Sequence, residues 1–310
     1  MRDDRPLFGI ALMLGFCLLA PMSDAIAKLL GGRLPLLELL VARFGIQAVL
    51  LAPVLVLSAG AFWPRGRLLR LVFFRTLLHI AGIGLMFLSL RYLPLADAVA
   101  IAFVMPFILL LLGRFILNEE IGMRRIMACA VGFFGTLLVI QPSFAEVGPA
   151  ALLPVCVAVI FAGFMLVTRM MSREIGAIPL QAVGGTMALG LLLPCLFAAN
   201  VAGVPGFDTT VPDAWTLWLL LTLGLLGTVA HLLMTWSLRF APASTLAPMQ
   251  YLEIPVAAVV GWFIFREFPN GLALAGISIT IAAGLYIVLR ERRFSQMSKP
   301  ASPHPAPPAA

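Results

Sequence analysis

Apolar residues along this chain come in long, nearly uninterrupted blocks. Ten of them stand near 7–30, 34–58, 70–90, 95–117, 123–141, 149–168, 178–199, 214–238, 242–265 and 271–289. A helix rising 1.5 Å per residue needs about 20 apolar residues to cross a hydrocarbon core about 30 Å thick. Each block therefore reads as a membrane-spanning helix, with short connections and no room for a soluble catalytic domain. The expected fold class is an all-α integral membrane protein of ten transmembrane helices. Residues 1–6 form a short cytoplasmic N-terminus. The first block has no small-residue cleavage site and carries Asp24 and Lys28, so it reads as a retained helix, not a signal peptide. The end, "SQMSKPASPHPAPPAA", is rich in Pro and Ala, and 291–310 reads as a disordered cytoplasmic tail.

The polar positions that interrupt these blocks repeat. LMFLSLRYLP at 85–94 returns as LMTWSLRFAP at 233–242, an offset of 148 with six identical positions. The same offset relates Gly113, Phe115, Ile116 and Glu119 to Gly261, Phe263, Ile264 and Glu267. It also relates Ala128, Gly132 and Thr136 to Gly276, Thr280 and Gly284. Those triplets are ridges of small residues, which let helix backbones approach closely in lipid. Two halves follow, 7–141 and 149–290, with five helices each. Five is odd, so the halves insert with opposite orientation, leaving Arg91 outside and Arg239 inside. Such an inverted repeat is the signature of an alternating-access carrier, because each half can adopt the other's conformation with the sidedness exchanged.

Composition and charge agree with lipid as the solvent. Only 11% of residues are charged, 62% are hydrophobic, and the mean hydropathy is +1.06. The net charge of +7 would suit nucleic acid, but its distribution tracks the membrane. With the N-terminus inside, 15 of the 21 Lys and Arg fall in cytoplasmic segments and only Arg33, Arg91 and Arg266 on the other side. That asymmetry orients both termini to the cytoplasm. The four cysteines, Cys17, Cys129, Cys156 and Cys195, are scattered singly, so disulfide and zinc readings fail. No Walker loop, strand-linked GxGxxG or GxSxG elbow occurs, and no cofactor or metal is expected.

The stretch "LRYLPLADAVAIAFVMPFILLLLGRFILNEEIGMRRIMACAVGFFGTLLVI", with "SDAIAKLL" and "LELLVARFGIQA" before it, resembles the drug/metabolite transporter superfamily in its EamA-type branch. The resemblance covers about residues 7–290. It implies ten-helix carriers built from two five-helix repeats, with Lys28 and Arg43 at the family's usual basic positions. It also implies a central cavity lined by the first, third, fourth, sixth, eighth and ninth helices. Members that resemble this chain carry amino acids, S-adenosylmethionine, riboflavin and other small metabolites, usually without ATP.

Ionisable groups inside a span cost roughly 2.5–3.5 kcal/mol each, so every one is a candidate. Asp24 and Lys28 sit four apart on one face after Pro21. Either they neutralise each other and lock helix packing, or they line the cavity and contact substrate. Arg43 lies some nine residues into its helix, roughly 13 Å along the axis, too deep for headgroups. Pairing with a carboxylate on another helix is its structural reading. Glu38, about 140° round the helix from it, reads as solvated near the outer interface. "PMQYLEIP" places Gln250, Tyr251 and Glu253 between Pro248 and Pro255, on a kinked or opened helix suited to a midplane site. There Glu253 either faces the cavity or pairs with Arg43 or Lys28.

Thr228, His231 and Thr235 form a polar stripe whose counterparts at the 148 offset, Ile80, Ile83 and Phe87, are apolar. Trp236 and Tyr251 offer rings for a planar substrate. His79, four after Arg75, reads more as packing than as site. Asp97 opens its helix, and Asn118, Glu119 and Glu120 beside Arg124 and Arg125 read as an interfacial cluster.

Taken together, these residues predict a secondary transporter in the bacterial inner membrane moving a small polar or aromatic metabolite. The expected partners are that small-molecule substrate and membrane lipid, with proton coupling or facilitated diffusion both open and no nucleic acid. Monomer and homodimer both remain open. The alternative is a membrane-embedded lipid-modifying enzyme, which would need the clustered metal ligands or nucleophile motif that this sequence lacks. A non-transporting receptor or assembly subunit is a third reading, against which the repeat argues.

Overall fold

A computed structural model describes residues 5–57, 63–118, 122–203, 211–267 and 271–297. Among the described residues every regular element is helical. The elements are α1 (Pro6–Gly31), α2 (Leu36–Leu57), α3 (Gly66–Ser89), α4 (Leu95–Ala102), α5 (Met105–Ile116) and α6 (Met123–Val147). A 3₁₀ turn (Gly148–Leu152) then leads to α7 (Leu153–Met171), α8 (Ala177–Val201) and α9 (Ala214–Phe240). The chain ends with α10 (Ala243–Leu246), a second 3₁₀ turn (Ala247–Leu252), α11 (Glu253–Phe265) and α12 (Gly271–Met297).

Among the described residues, seven helical stretches are long and apolar enough to cross a membrane, and three shorter apolar ones cover Ile126–Leu138, Met249–Phe265 and Gly271–Ala283. Large apolar side chains such as Val56, Phe115, Phe197 and Trp218 point outward, as lipid-facing residues do.

Local chemistry explains the boundaries. Pro94 and Pro242 precede α4 and α10, where a missing N–H costs nothing. The Asp213 carboxylate accepts from Thr216 N at 2.9 Å and caps α9. Arg266 ends α11 in the left-handed region at φ 60°, returning its N–H to Gly261 O and Trp262 O.

Four boundaries differ from the sequence-based expectation. The block at 95–117 breaks at Phe103–Val104, and the block at 242–265 breaks through the 3₁₀ turn. Pro106 and Pro248 remove donors there, and neighbouring helices protect the freed backbone. Helix α6 runs through Pro142 to Val147, so the loop expected at 142–148 shrinks to a turn at Gly148. A proline near a helix end forfeits one bond without stopping the helix. Helix α12 continues to Met297, because "RERRFSQM" holds no breaker, so the expected disordered tail is helical over 291–297. The rest of that tail, 298–310, lies outside the described residues, as do Glu119 and Glu120.

Ion pairs and close contacts order the bundle. Gly9, at the start of α1, packs on Ser237 O and Ala241 at the end of α9, so these two helices run antiparallel. Lys28 near the end of α1 meets Glu267 just after α11, and Glu267 also accepts from Leu95 N at the start of α4. At the opposite end of α3, Arg67 pairs with Glu174 in the α7–α8 turn, at 3.1 Å. Helices α6 and α12 meet through their small residues: a Cβ on Gly135 would lie 2.7 Å from Gly276 O.

Candidate functional site

Between these helices lies a cavity of about 70 Å³. Its wall comes from α1, α3, α4, α5, α7, α9 and α11, that is, from the first, third, fourth, sixth, eighth and ninth apolar blocks. Three polar side chains face it: Asp24 on α1, His231 on α9 and Glu253 on α11. Phe16, Phe103 and Phe161 with Met86, Met105, Met165 and Met234 supply the rest, a wall of rings and adaptable thioethers. At about 30 Å³ per water the space is that of a few waters, smaller than a metabolite.

The break before α11 sets Glu253. It occupies the first turn of a new helix, whose N-terminus favours negative charge. Glu253 and Asp24 repel each other electrostatically across the cavity. Asp24 is half-buried, its accessible area facing the cavity rather than lipid.

Lys28 does not join them. Its Nζ lies 2.5 Å from Glu267 Oε1 and donates to Leu93 O at 2.9 Å, one turn beyond the cavity. Spacing of four put Asp24 and Lys28 on one face, but the longer lysine reaches past its neighbour to the α11–α12 turn. Both readings of an Asp24–Lys28 unit are thereby corrected: the two neither pair nor share the cavity.

Arg43 is fully buried and, among the described residues, has no carboxylate within ion-pair distance, contrary to the sequence reading. Its Nη1 donates to Gln47 Oε1 at 3.0 Å and its Nη2 lies 3.3 Å from His231 Nδ1. Asp24 attracts it across a gap too wide for an ion pair. Neither Arg43 nor Lys28 touches Glu253, so that alternative also falls. The Gln47 amide continues the chain to Gln181 O at 2.8 Å, and Gln181 Nε2 donates to Thr235 Oγ1 at 3.1 Å. The expected stripe on α9 thus splits: His231 reaches the cavity, Thr235 closes this seam, and the Thr228 hydroxyl returns to Gly224 O. Glu38 is half-buried, not solvated.

Three further candidates stand elsewhere. Tyr251 is buried against Gly132, with its hydroxyl donating to Cys129 O at 3.2 Å, so it packs α6 and does not line the cavity. Gln250 points its amide at Met165 Sδ, 3.1 Å away, behind the wall. Trp236 packs near Leu51, Ala182 and Leu232, away from the cavity.

Sequence reasoning undervalued Arg75 and His79 and passed over Gln47, Thr168 and Gln181. His79 stacks on Phe164 with ring centres 4.6 Å apart and lies 4.5 Å from the His231 ring. Arg75 donates from Nε to Thr168 Oγ1 at 2.8 Å and spreads over Phe164, 4.4 Å from its centre. The signal was present: Arg43 with Gln47, and Arg75 with His79, are both i, i+4 pairs inside apolar blocks.

The comparisons with known proteins bear on the whole chain. The EamA-like transporter family pattern matches residues 7–141 and 148–290. A riboflavin transporter of Rhizobium johnstonii is 31% identical over 71% of this chain and 70% of its own. An S-adenosylmethionine uptake transporter of Rickettsia bellii is 28% identical over 94% of this chain and 98% of its own. A solved crystal structure shares the fold at a TM-score of 0.67 and 18% identity, over 95% of this chain and 99% of its own. With the pattern accounting for nearly every described helix, this multi-pass membrane protein belongs to the EamA-like transporter family.

Proposed function

We propose that the chain carries a small polar or aromatic metabolite across the bacterial inner membrane by alternating access. Ten crossings form two repeats, 7–141 and 149–290, inserted in opposite orientation, with both termini in the cytoplasm. Helix bounds support this: α3 and α9 begin 148 residues apart, at Gly66 and Ala214, and the breaks before Met105 and Glu253 keep the same offset. The antiparallel contacts of α1 with α9, and of the start of α4 with the end of α11, suit halves that point opposite ways. The two halves rock about the cavity, and binding at Asp24 and Glu253 alternates between the two sides.

One observation carries the reading: a buried cavity at the junction of both halves faces two carboxylates and an imidazole. Polar groups at membrane depth mark a pathway. The relatives named for riboflavin and S-adenosylmethionine support a planar ring system with polar substituents as cargo. Asp24 and Glu253 are the groups placed to exchange a proton during the cycle, and a lipid-modifying reaction is not favoured by these relatives. The test is uptake of labelled riboflavin, S-adenosylmethionine and amino acids into proteoliposomes, with and without an imposed pH gradient. Saturable uptake of one of them is expected; absence of uptake across the panel overturns the assignment.

A further inference from the structure

Among the described residues, four buried nitrogens without a hydrogen-bond partner gather next to the cavity: Nη1 and Nη2 of Arg75, Nε2 of His79 and Nε2 of His231. All three side chains are at least 95% buried, with Arg75 at 0% exposure. An unpaired guanidinium in a membrane interior is costly, and Leu would pack a helix there with no penalty. Thr168 and Phe164 hold the guanidinium by its Nε and its face, leaving the two terminal nitrogens as a buried fork without an acceptor, Nη1 next to Gly184. Such a fork matches the two oxygens of a carboxylate. The imidazoles stand close enough that Arg75 acts electrostatically on both.

His231 lines the cavity itself, and Phe161 stands between the cavity and His79. Its ring lines the cavity and lies 6.5 Å from His79, 6.1 Å from His231 and 5.5 Å from Phe164. It rests on Gly82, where a Cβ would fall 2.5 Å from the ring, so the absent side chain at 82 is what seats it. On the far side, Asp24 and Glu253 attract a cation.

We propose that Arg75, His79 and His231 form a carboxylate subsite beside Phe161. It takes the anionic end of a zwitterionic substrate whose cationic end lies between Asp24 and Glu253. His231 Nδ1 lies 2.9 Å from Gly227 O and donates to it, so Nε2 donates to the arriving carboxylate only when the ring takes up a second proton, and Arg75 with His79 supplies the remaining donors. The inference deepens the transport reading and rests on it.

Thermal unfolding of the purified full chain in detergent tests it with three probes of one skeleton: L-phenylalanine, 3-phenylpropanoate and phenethylamine. The wild type should be stabilised by all three. Arg75→Gln should lose the 3-phenylpropanoate shift and keep the phenethylamine shift, and Asp24→Asn with Glu253→Gln should do the reverse. Arg75→Lys keeps the charge without the fork and should weaken the carboxylate probe about tenfold. Phe161→Leu widens the entry and should strengthen it. No shift of the wild type with 3-phenylpropanoate, or an equal shift in Arg75→Gln, overturns the subsite. If transport persists alongside that result, the carrier reading stands without the subsite. Probe shifts in a protein that transports nothing would leave the subsite and remove the carrier.

Discussion

Arg43 crosses α9 directly over Gly227, so closely that a Cβ at Gly227 would fall on the guanidinium Nε. Glycine here makes space for a cation in a membrane interior. Gly227→Ala should push Arg43 off Gln47 Oε1, at about 1.5–3 kcal/mol for a hydrogen bond from the charged group. Uptake should fall with thermal stability. Gly227→Ala combined with Arg43→Gln, which shortens the intruding side chain, should regain part of the stability. Equal melting temperatures of wild type and Gly227→Ala would show that Arg43 has another resting place.

The ridges on α6 pack against two different neighbours. Gly132 faces the Tyr251 ring, and Gly135 faces the backbone of Gly276 on α12. Gly132→Leu can be relieved only by moving Tyr251, which costs its bond to Cys129 O; Gly135→Leu meets a carbonyl that cannot move. Both should lower stability by about 1–3 kcal/mol or more, with Gly135→Leu the worse. Membrane yield and unfolding temperature check this, and normal accumulation of both variants would mean that these faces meet lipid.

Lys28 and Glu267 tie the ends of α1 and α11 to the α3–α4 turn, at side-chain exposures of 15% and 30%. Lys28→Glu should loosen that end of the cavity through repulsion, at a cost of about 1 kcal/mol in a partly screened site. Reversing both, Lys28→Glu with Glu267→Lys, should restore stability only in part, because Leu95 N then faces an ammonium instead of a carboxylate. Uptake and melting of the four proteins in the cycle decide it. Additive losses in the double variant would show the pair to be idle.

Much of this bundle was legible because lipid demands long apolar blocks, and block length survives ignorance of every contact. Breaks were harder to read. Pro106 and Pro142 look alike in sequence, yet the first falls in the opening turn of α5 while α6 runs through the second and ends at Val147. The site was legible as a roster of expensive residues and illegible as partnerships. Asp24 and Lys28 share a face, but a lysine stem reaches Glu267 from a distant turn. Tyr251 looked like a substrate ring until Gly132 gave it a seat. Arg75 with His79, and Arg43 with Gln47, show that i, i+4 polar pairs inside spans carried more information than single residues.

Sidedness follows from the proposed inversion. In a Cys-less background, Trp63→Cys should label only from the cytoplasm and Val211→Cys only from outside, both being exposed side chains. Positions between 204 and 210 should behave like 211. Labelling of Val211→Cys from the cytoplasmic face alone would break the opposite orientation of the halves and alternating access with it.

The cavity carboxylates give the sharpest test of transport itself. Asp24→Asn and Glu253→Gln keep shape and hydrogen bonding while removing charge. Lys28 has its own partner in Glu267, so neither change strands a cation beside it. Arg43 keeps its bond to Gln47 and its place beside His231, losing only the distant attraction of Asp24. Stability should therefore move by about 1 kcal/mol or less, a scale set by an unpaired electrostatic contact and not by a broken buried pair. Uptake, by contrast, should fall at least tenfold in each variant if these charges hold the cargo's cationic end, a loss equivalent to about 1.4 kcal/mol of binding. Should one carboxylate instead carry a coupling proton, its variant would keep exchange of cargo at equal concentrations and lose accumulation driven by a pH gradient. Proteoliposome uptake measured in both modes separates the two roles. Wild-type rates in both modes for both variants would remove Asp24 and Glu253 from the site, leaving the buried seam around His231 as the place to look.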